Sequence, residues 1–403
     1  MKKILVSAYA CEPYKGSEQG VGWNWVLQMA KNNEIHIITR ANNQNVIPEN
    51  FSNNIFFHYY DTTNFIKNLK NKAKGLYFYY FFWQVGILPL ASKIIRQNKI
   101  DYTMHLTMGS IWMPTFLYFF KTNFIWGPIG GGEGIPKSFL SSLPLKDRII
   151  QNFRYLLRTT SIINPFIFFP SRKAKIIIAR THNTKEYIPK HFRNKTKVFL
   201  ETSIENEIFN HIKKKSSSEK VELVFTGILV PFKNLITLIK SLKYVKYDSY
   251  HLTIIGSGSE KKKLETELFK MDLSEKVTFV EEISRNQVIE SLIKSDIYLF
   301  PSLREGGSWA LMEAMAIGLP VICLKWSGME IITNEDCAIQ LPITNPEQMT
   351  KDMAKAIHKL IENSKLRENM GNAGRERIKN IFNWDVKGKF MEELLNELDK
   401  KEI

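Results

Sequence analysis

Cysteine is scarce, with three residues in 403: Cys11, Cys323 and Cys337. Odd in number and widely spaced, they make no disulfide framework and lack the paired spacing of a zinc site, so a reducing compartment is expected. The triplet Asp-x-Asp is missing throughout, and no set of histidine, cysteine and carboxylate has metal-ligand spacing. No metal is therefore expected. Long apolar runs are also missing. The most apolar stretch, Leu76–Ala91, is interrupted by Gln84, Gly86 and Pro89 and falls short of the roughly 20 residues a spanning helix needs, so no transmembrane helix is expected. The apolar start of the chain is ended early by Cys11-Glu12-Pro13, which suits a first β-strand better than a signal peptide.

Acidic residues are scarce in one half only. Residues 1–200 hold 27 Lys and Arg against 9 Asp and Glu, whereas residues 201–403 hold 29 against 31. A basic half beside a near-neutral one points to an anionic partner for the first half, unless the bias is merely that of a basic proteome. Basic residues there alternate with aromatics and aliphatics, as in Asn152–Lys175, a pattern that favours an anionic membrane surface over nucleic acid.

What is present is enough apolar residue, 44%, for two domains of about 200 residues each. Strands are expected at Ile4–Ala8, Ile35–Thr39, Ile55–Tyr59, Asp101–His105, Phe124–Trp126, Ile176–Ala179 and Val198–Leu200, with helices between them that include Val21–Lys31. After a polar linker at Lys213–Lys220 the alternation restarts. Strands are then expected at Leu223–Thr226, Leu252–Ile255, Val277–Val280, Ile297–Pro301 and Pro320–Cys323, with helices between, including Trp309–Ile317. Strand–helix alternation implies parallel sheets covered on both faces. The fold class is therefore α/β, two Rossmann-like doubly wound domains facing across a cleft, with ligands beyond the carboxyl ends of the strands.

The most informative segment runs from Pro301 to Ile322. A buried strand gives way to a loop carrying Glu305, and Gly306-Gly307-Ser308 then opens a helix. A helix start with its positive dipole end suits a phosphate. Glu313 lies just over one turn inside that helix, placed to accept hydrogen bonds from a ribose diol. Acids eight apart are common, so the strand–glycine–helix setting carries this reading.

Glu305 and Glu313, followed by Ala314-Met315-Ala316 and Gly318-Leu319-Pro320-Val321, resemble the glycosyltransferase family 4 motif. That resemblance implies the two-domain GT-B fold, a nucleoside-diphosphate sugar as substrate, no metal or other cofactor, and retention at the anomeric carbon. It places Glu305 near the donor sugar and Glu313 at the ribose. Val224–Asn234 is similar to the family's diphosphate-binding stretch: Gly227 and Lys233 match, but Ile228 stands where arginine is usual. Two cations ordinarily neutralise the leaving group, so Arg304 or another nearby cation would have to compensate. Ile254-Ile255-Gly256-Ser257-Gly258 reads as a structural turn, and Ile283 is expected against the base.

On the acceptor side, the loop from Cys11 to Trp25, with Gly16, Gly20 and Gly22, resembles the family's N-terminal glycine loop, which approaches the donor phosphates. Trp126–Glu133 is a second glycine-rich loop. Gly130 and Gly131 leave room against the backbone, and Glu133 is a candidate for binding an acceptor hydroxyl or for a conformational role. His105 ends a strand where the family usually has a histidine near sugar and diphosphate. The pattern is His-x-Thr rather than His-x-His, which leaves Thr107 as the alternative. The catalytic set expected is thus Glu305, His105 and Lys233.

The expected domains are 1–205 for the acceptor side, 206–380 for the donor, and a helix in 381–403 packing back on the first. The function expected is hexosyl transfer to a hydroxyl of a glycan, lipid-linked, in cell-surface polysaccharide assembly. The protein would sit in the cytoplasm, peripheral at the inner face of the membrane. A non-catalytic nucleotide-sugar-binding subunit and a GT-B nucleotide-sugar epimerase are the alternatives.

Overall fold

The computed structural model describes residues 1–48, 51–69, 75–214 and 220–400, the side chains of 69, 158 and 159 aside. Most of the expected linker at Lys213–Lys220 lies outside the described residues, as do the last three positions of the chain. The chain divides into two compact units. The first comprises Met1–Gly132, Leu156–Glu201 and Trp384–Ile403, and the second Glu133–Tyr155 and Thr202–Asn383. Residues 133–155 thus pack with the second unit, although the sequence places them in the first domain.

The first unit holds seven parallel strands: β1 (Lys3–Ser7), β2 (Glu34–Arg40), β3 (Ile55–Tyr60), β4 (Tyr102–His105), β5 (Asn123–Ile129), β6 (Ile176–Ala179) and β7 (Thr196–Val198). Their order is β3-β2-β1-β4-β5-β6-β7, which reverses direction between β1 and β4. β1, β4 and β6 are buried almost end to end rather than on alternate residues, as a sheet covered on both faces requires, and β6, Ile-Ile-Ile-Ala, is apolar throughout. The last strand is β7, ending at Val198 where the sequence suggested a beginning.

The helical stretch Gly75–Asn98 is, by length and composition, apolar enough to cross a membrane, contrary to the expectation from its interruptions. In the structure Tyr79, Tyr80, Trp83, Ala91 and Ile94 are buried in the core of the first unit. The helix Trp384–Lys400 closes the chain against the Ser17–Ala30 helix. Lys31 pairs with Asp385 at 2.6 Å, and Phe390 stacks on Phe199.

The second unit holds β8 (Val221–Thr226), β9 (Tyr250–Ile255), β10 (Val277–Val280), β11 (Ile297–Phe300), β12 (Val321–Leu324) and β13 (Ala338–Leu341). All pair in parallel, in the order β10-β9-β8-β11-β12-β13, reversing between β8 and β11. Helix boundaries follow local chemistry. Ser284 and Gln287 form a reciprocal capping box before Arg285–Lys294, and Gly318, at φ 100°, ends Trp309–Ile317 in the left-handed region. Strand β13 and the helices Pro346–Glu362 and Ser364–Ile381 were not anticipated from the sequence.

Candidate active site

In doubly wound sheets a ligand crevice opens where the strand order reverses. In the second unit this point lies between β8 and β11, and the loops leaving these two strands carry Gly227–Lys233 and Pro301–Ser308. The chain thereby brings together residues 72 positions apart.

Gly227 has φ +147°, a conformation open to glycine. A side chain on Gly256, in the turn after β9, would run into the Gly227 carbonyl, so the two turns pack backbone against backbone. Gly256-Ser257-Gly258 is thus a structural support beneath the β8 loop. Leu303 N–H donates to the Phe232 carbonyl at 2.8 Å and stitches the β11 loop to the β8 loop.

Within this frame the Lys233 ammonium forms an ion pair with the Glu305 carboxylate. Both side chains are 14% exposed. The same Glu305 oxygen, Oε1, accepts from Ser302 Oγ at 2.9 Å, and the Glu305 carbonyl accepts from Ser327 Oγ at 2.8 Å and Gly328 N–H at 3.1 Å. Side chain and backbone of Glu305 are thus both held. Lys233 Nζ also lies 5.0 Å from the Phe300 ring centre.

Ser308 caps the Trp309–Ile317 helix, its hydroxyl accepting from Leu311 N–H. Gly307 is less open than expected. A side chain there would overlap Thr202, whose hydroxyl is buried with no hydrogen-bond partner among the described residues. Gly306 is likewise covered, its carbonyl lying where a side chain on Gly328 would have to go. Glu313, its side chain 14% exposed, accepts from Arg285 Nε at 3.1 Å and Nη2 at 2.9 Å. Burial raises its pKa, and Arg285 opposes that rise. Ile283 is half-buried just before the Arg285–Lys294 helix.

Ile228, 65% exposed, follows Gly227 and brings no charge to this turn. Arg304 stacks on Phe232 with 4.2 Å from guanidinium carbon to ring centre. Burial and Arg154 pull its pKa down, while Glu305, Glu133 and Asp147 hold it up. Glu133, buried, therefore belongs electrostatically to the second unit and the Arg304 side of the β11 loop, not to the first unit where the sequence put it.

In the first unit the strand order reverses between β1 and β4, and His105 ends β4. His105 is 1% exposed and neither ring nitrogen has a well-formed hydrogen bond among the described residues. Burial lowers its pKa to about 4, against an opposing effect of the Met108 backbone, so the imidazole is neutral near pH 7. Thr107 is engaged otherwise: its hydroxyl accepts from Ala10 N–H at 2.9 Å.

The expected glycine loop is shorter than the sequence suggested. Gly20 and Gly22 lie buried inside the Ser17–Ala30 helix. A side chain at Gly22 would meet the Ala10 carbonyl and the Thr107 methyl, so glycine lets the helix pack against the loops that follow β1 and β4. Glu18, in the same helix, accepts from Gly109 N–H at 3.2 Å; burial raises its pKa.

The triple-glycine run is similarly filled by the chain itself. A side chain on Gly130 would run into the Arg180 guanidinium, one on Gly131 (φ +92°) into Ser110 and Trp112, and Gly132 N–H donates to Thr184 Oγ1 at 3.2 Å. Arg180 in turn pairs with Glu201 at 2.9 Å. The room expected at Gly130 and Gly131 is occupied. Sequence reasoning missed Thr202, Ser302 and Arg285, which lie far along the chain from, or sit unremarkably beside, the residues they touch. No set of three or more metal-ligating side chains occurs among the described residues.

Two parallel α/β units, each with a reversal in its strand order, are the two Rossmann-like domains expected of the GT-B fold. The chain matches the structure of sucrose-phosphate synthase from Thermosynechococcus elongatus over 100% of both chains, with a TM-score of 0.66 and 14% identity. It matches Anabaena Alr3699/HepE in complex with UDP over 98% of this chain and 100% of that one, with a TM-score of 0.61 and 13% identity. At such identities the likeness is one of fold.

Residues 206–377 match the family model described as "Glycosyl transferases group 1". The uncharacterized glycosyltransferase MJ1069 of Methanocaldococcus jannaschii is 27% identical, covering 53% of this chain and 56% of its own. The capsular polysaccharide biosynthesis glycosyltransferase CapM of Staphylococcus aureus is 26% identical, over 43% and 45%. The O-antigen chain mannosyltransferase RfbU of Salmonella typhimurium is 28% identical, over 44% and 46%. The matches thus span about half the length of these curated relatives.

Proposed function

We propose that this chain is a retaining glycosyltransferase that moves a hexosyl unit from a nucleoside-diphosphate sugar to a hydroxyl of a lipid-linked glycan, in cell-surface polysaccharide assembly. The observation that carries the reading is the Lys233–Glu305 pair at the strand-order reversal of the second unit, with Glu313 on the helix that follows. Similarity to group 1 glycosyltransferases over residues 206–377 supports it, as do the capsule and O-antigen names of the relatives.

In this reading Glu313 accepts hydrogen bonds from the ribose hydroxyls and Ile283 lies against the base. Lys233 and the Ser308-capped helix start neutralise the diphosphate, with Arg304 as the second cation in place of Ile228. Fixed cations and helix-start amides stabilise charge developing on a leaving phosphate without a metal. Glu305 orients the sugar. His105, buried and neutral at the end of β4, is a further candidate for a hydrogen bond to sugar or diphosphate. The bond from anomeric carbon to phosphate breaks, a bond from the same carbon to the acceptor oxygen forms on the same face, and the acceptor proton passes to the departing diphosphate. The basic first half holds the protein at the anionic inner face of the cytoplasmic membrane.

The test is incubation with UDP-, GDP- and ADP-hexoses and a membrane lipid extract, with chromatographic detection of released nucleoside diphosphate. Release of one diphosphate that depends on the extract is expected. Ile228 favours one second reading, a non-catalytic donor-binding subunit. That reading predicts tight nucleotide-sugar binding and no consumption, whereas release of an isomerised sugar would identify an epimerase.

A further inference from the structure

The helix Leu145–Thr159 is turned inside out. Its apolar stripe Leu145, Ile149, Phe153 and Leu156 follows one helical face, yet these side chains are 63%, 60%, 57% and 60% exposed. Ile150 at the edge of that face is exposed as well. Apart from the half-buried Leu157, the described side chains turned inward are polar: Gln151 is 3% exposed, and Asp147, Arg154 and Tyr155 are half-buried. An amphipathic helix on an aqueous surface packs the other way, so its outward face is built for something other than water.

Charge decides what that is. Lys146 and Arg148 are exposed on either flank of the stripe, while the helix's single acid, Asp147, is turned inward toward Arg304. Lys137, nearby in the same unit, stands 5.3 Å over the Tyr155 ring. Apolar side chains in the middle with cations at the rim match a bilayer that bears anionic headgroups: the chains enter the interface and the cations meet phosphate. A protein partner or a second copy would cover the stripe without calling for cations at its edge.

We infer that residues Leu145–Leu156 form a docking helix that lies in the interfacial plane of an anionic membrane. The inference deepens the membrane-surface reading above and rests on it, and it moves the contact to a defined helix that begins in the second unit. Asp147 and Arg154, on the opposite side of this helix, lie within the electrostatic reach of Arg304, the neighbour of Glu305. The docking helix is therefore adjacent to the donor loop.

The test uses the full chain in co-sedimentation with vesicles of phosphatidylcholine alone and of phosphatidylcholine mixed with phosphatidylglycerol. Wild type is expected to bind the anionic vesicles and not the neutral ones. The double variant Ile149→Asn/Phe153→Asn should bind about tenfold or more weakly, while its melting temperature and its nucleotide titration stay those of wild type. If wild type binds and the double variant binds equally, the helix is not the contact, and the membrane reading stands without it. If wild type binds no vesicle, both fall. If the double variant dissociates a dimer instead of losing lipid, the stripe is a subunit contact and the inference is overturned. Phe153→Trp decides the matter should the double variant misfold. Its emission is expected to shift to the blue on anionic vesicles and to be quenched by brominated lipid, and an unshifted emission from vesicle-bound protein contradicts the inference.

Discussion

Arg285 donates two hydrogen bonds to one carboxylate oxygen of Glu313, at 3.1 and 2.9 Å, across a gap of 28 residues. Burial pushes the Glu313 pKa up and this arginine holds it down. The ionised carboxylate is the form that accepts hydrogen bonds from a ribose diol, so nucleotide affinity should fall as pH drops through the Glu313 pKa. Arg285→Ala removes the restraint and should move that fall to higher pH. Calorimetric titration of nucleotide between pH 5 and pH 8 reads the shift, and an unchanged profile would detach Arg285 from the site.

Lys233 and Glu305 are mutually dependent. Removing either leaves a mostly buried charge without its partner, which typically costs about 3 kcal/mol or more. Lys233→Met should lower both the melting temperature and nucleotide affinity. Glu305→Gln keeps the hydrogen bond from Ser302 in reach and should retain nucleotide binding while turnover falls by about a hundredfold. Equal loss of binding in both variants would contradict the separate roles given to the two residues.

Ile228 is 65% exposed, so Ile228→Arg has no packing to disrupt. Adding this cation beside Gly227 should tighten diphosphate binding by about threefold at low salt, with the gain shrinking as salt rises. Arg304→Gln should weaken binding in the wild-type background and do so less in the Ile228→Arg background. Additive effects would remove Arg304 from the diphosphate.

Gly22→Ala sets two effects against each other. Alanine favours a helix interior over glycine by about 1 kcal/mol. Its methyl would nevertheless overlap the Ala10 carbonyl and press on Thr107, and such overpacking costs about 1 to 3 kcal/mol. The net should be destabilising, read as a lower urea midpoint. A stabilised variant would show that the Ser17–Ala30 helix has room to move away from Ala10 and Thr107.

Lys387 is buried against Phe199, 4.2 Å from ammonium to ring centre, and burial lowers its pKa from 10.5 to about 7. The unfolded chain therefore holds a proton that the folded one has released, and stability should rise with pH from about 7 toward 10.5. The slope is at most about 1.4 kcal/mol per pH unit. Lys387→Met should flatten it in urea unfolding carried out at several pH values.

The sequence was most readable where one strand is buried on both faces. Ile297–Phe300 and Ile176–Ala179 are short, wholly apolar runs between polar turns, and both lie where expected. Glu305 and Glu313 were legible for the same reason, since the loop and helix start between them are local. The glycines were legible only as positions where a side chain is excluded. What a glycine's missing side chain would have met is not readable from sequence, and at Gly22, Gly130 and Gly307 it is Ala10, Arg180 and Thr202. Arg285 went unseen because only the folded sheet brings it to Glu313. The same holds for Glu133, which the fold carries into the second unit. Strand β13, Ala-Ile-Gln-Leu, is too short and too mixed in burial to stand out from a loop.

The central claim is a donor-nucleotide site built on Lys233, Glu305 and Glu313, and calorimetric titration with UDP, GDP and ADP tests it most directly. Wild type should bind one of the three selectively, and Glu313→Ala should lose at least about tenfold of that affinity by giving up its ribose contacts. Equal affinity of wild type and Glu313→Ala for every nucleotide, or no binding by the folded wild-type protein, would contradict the account.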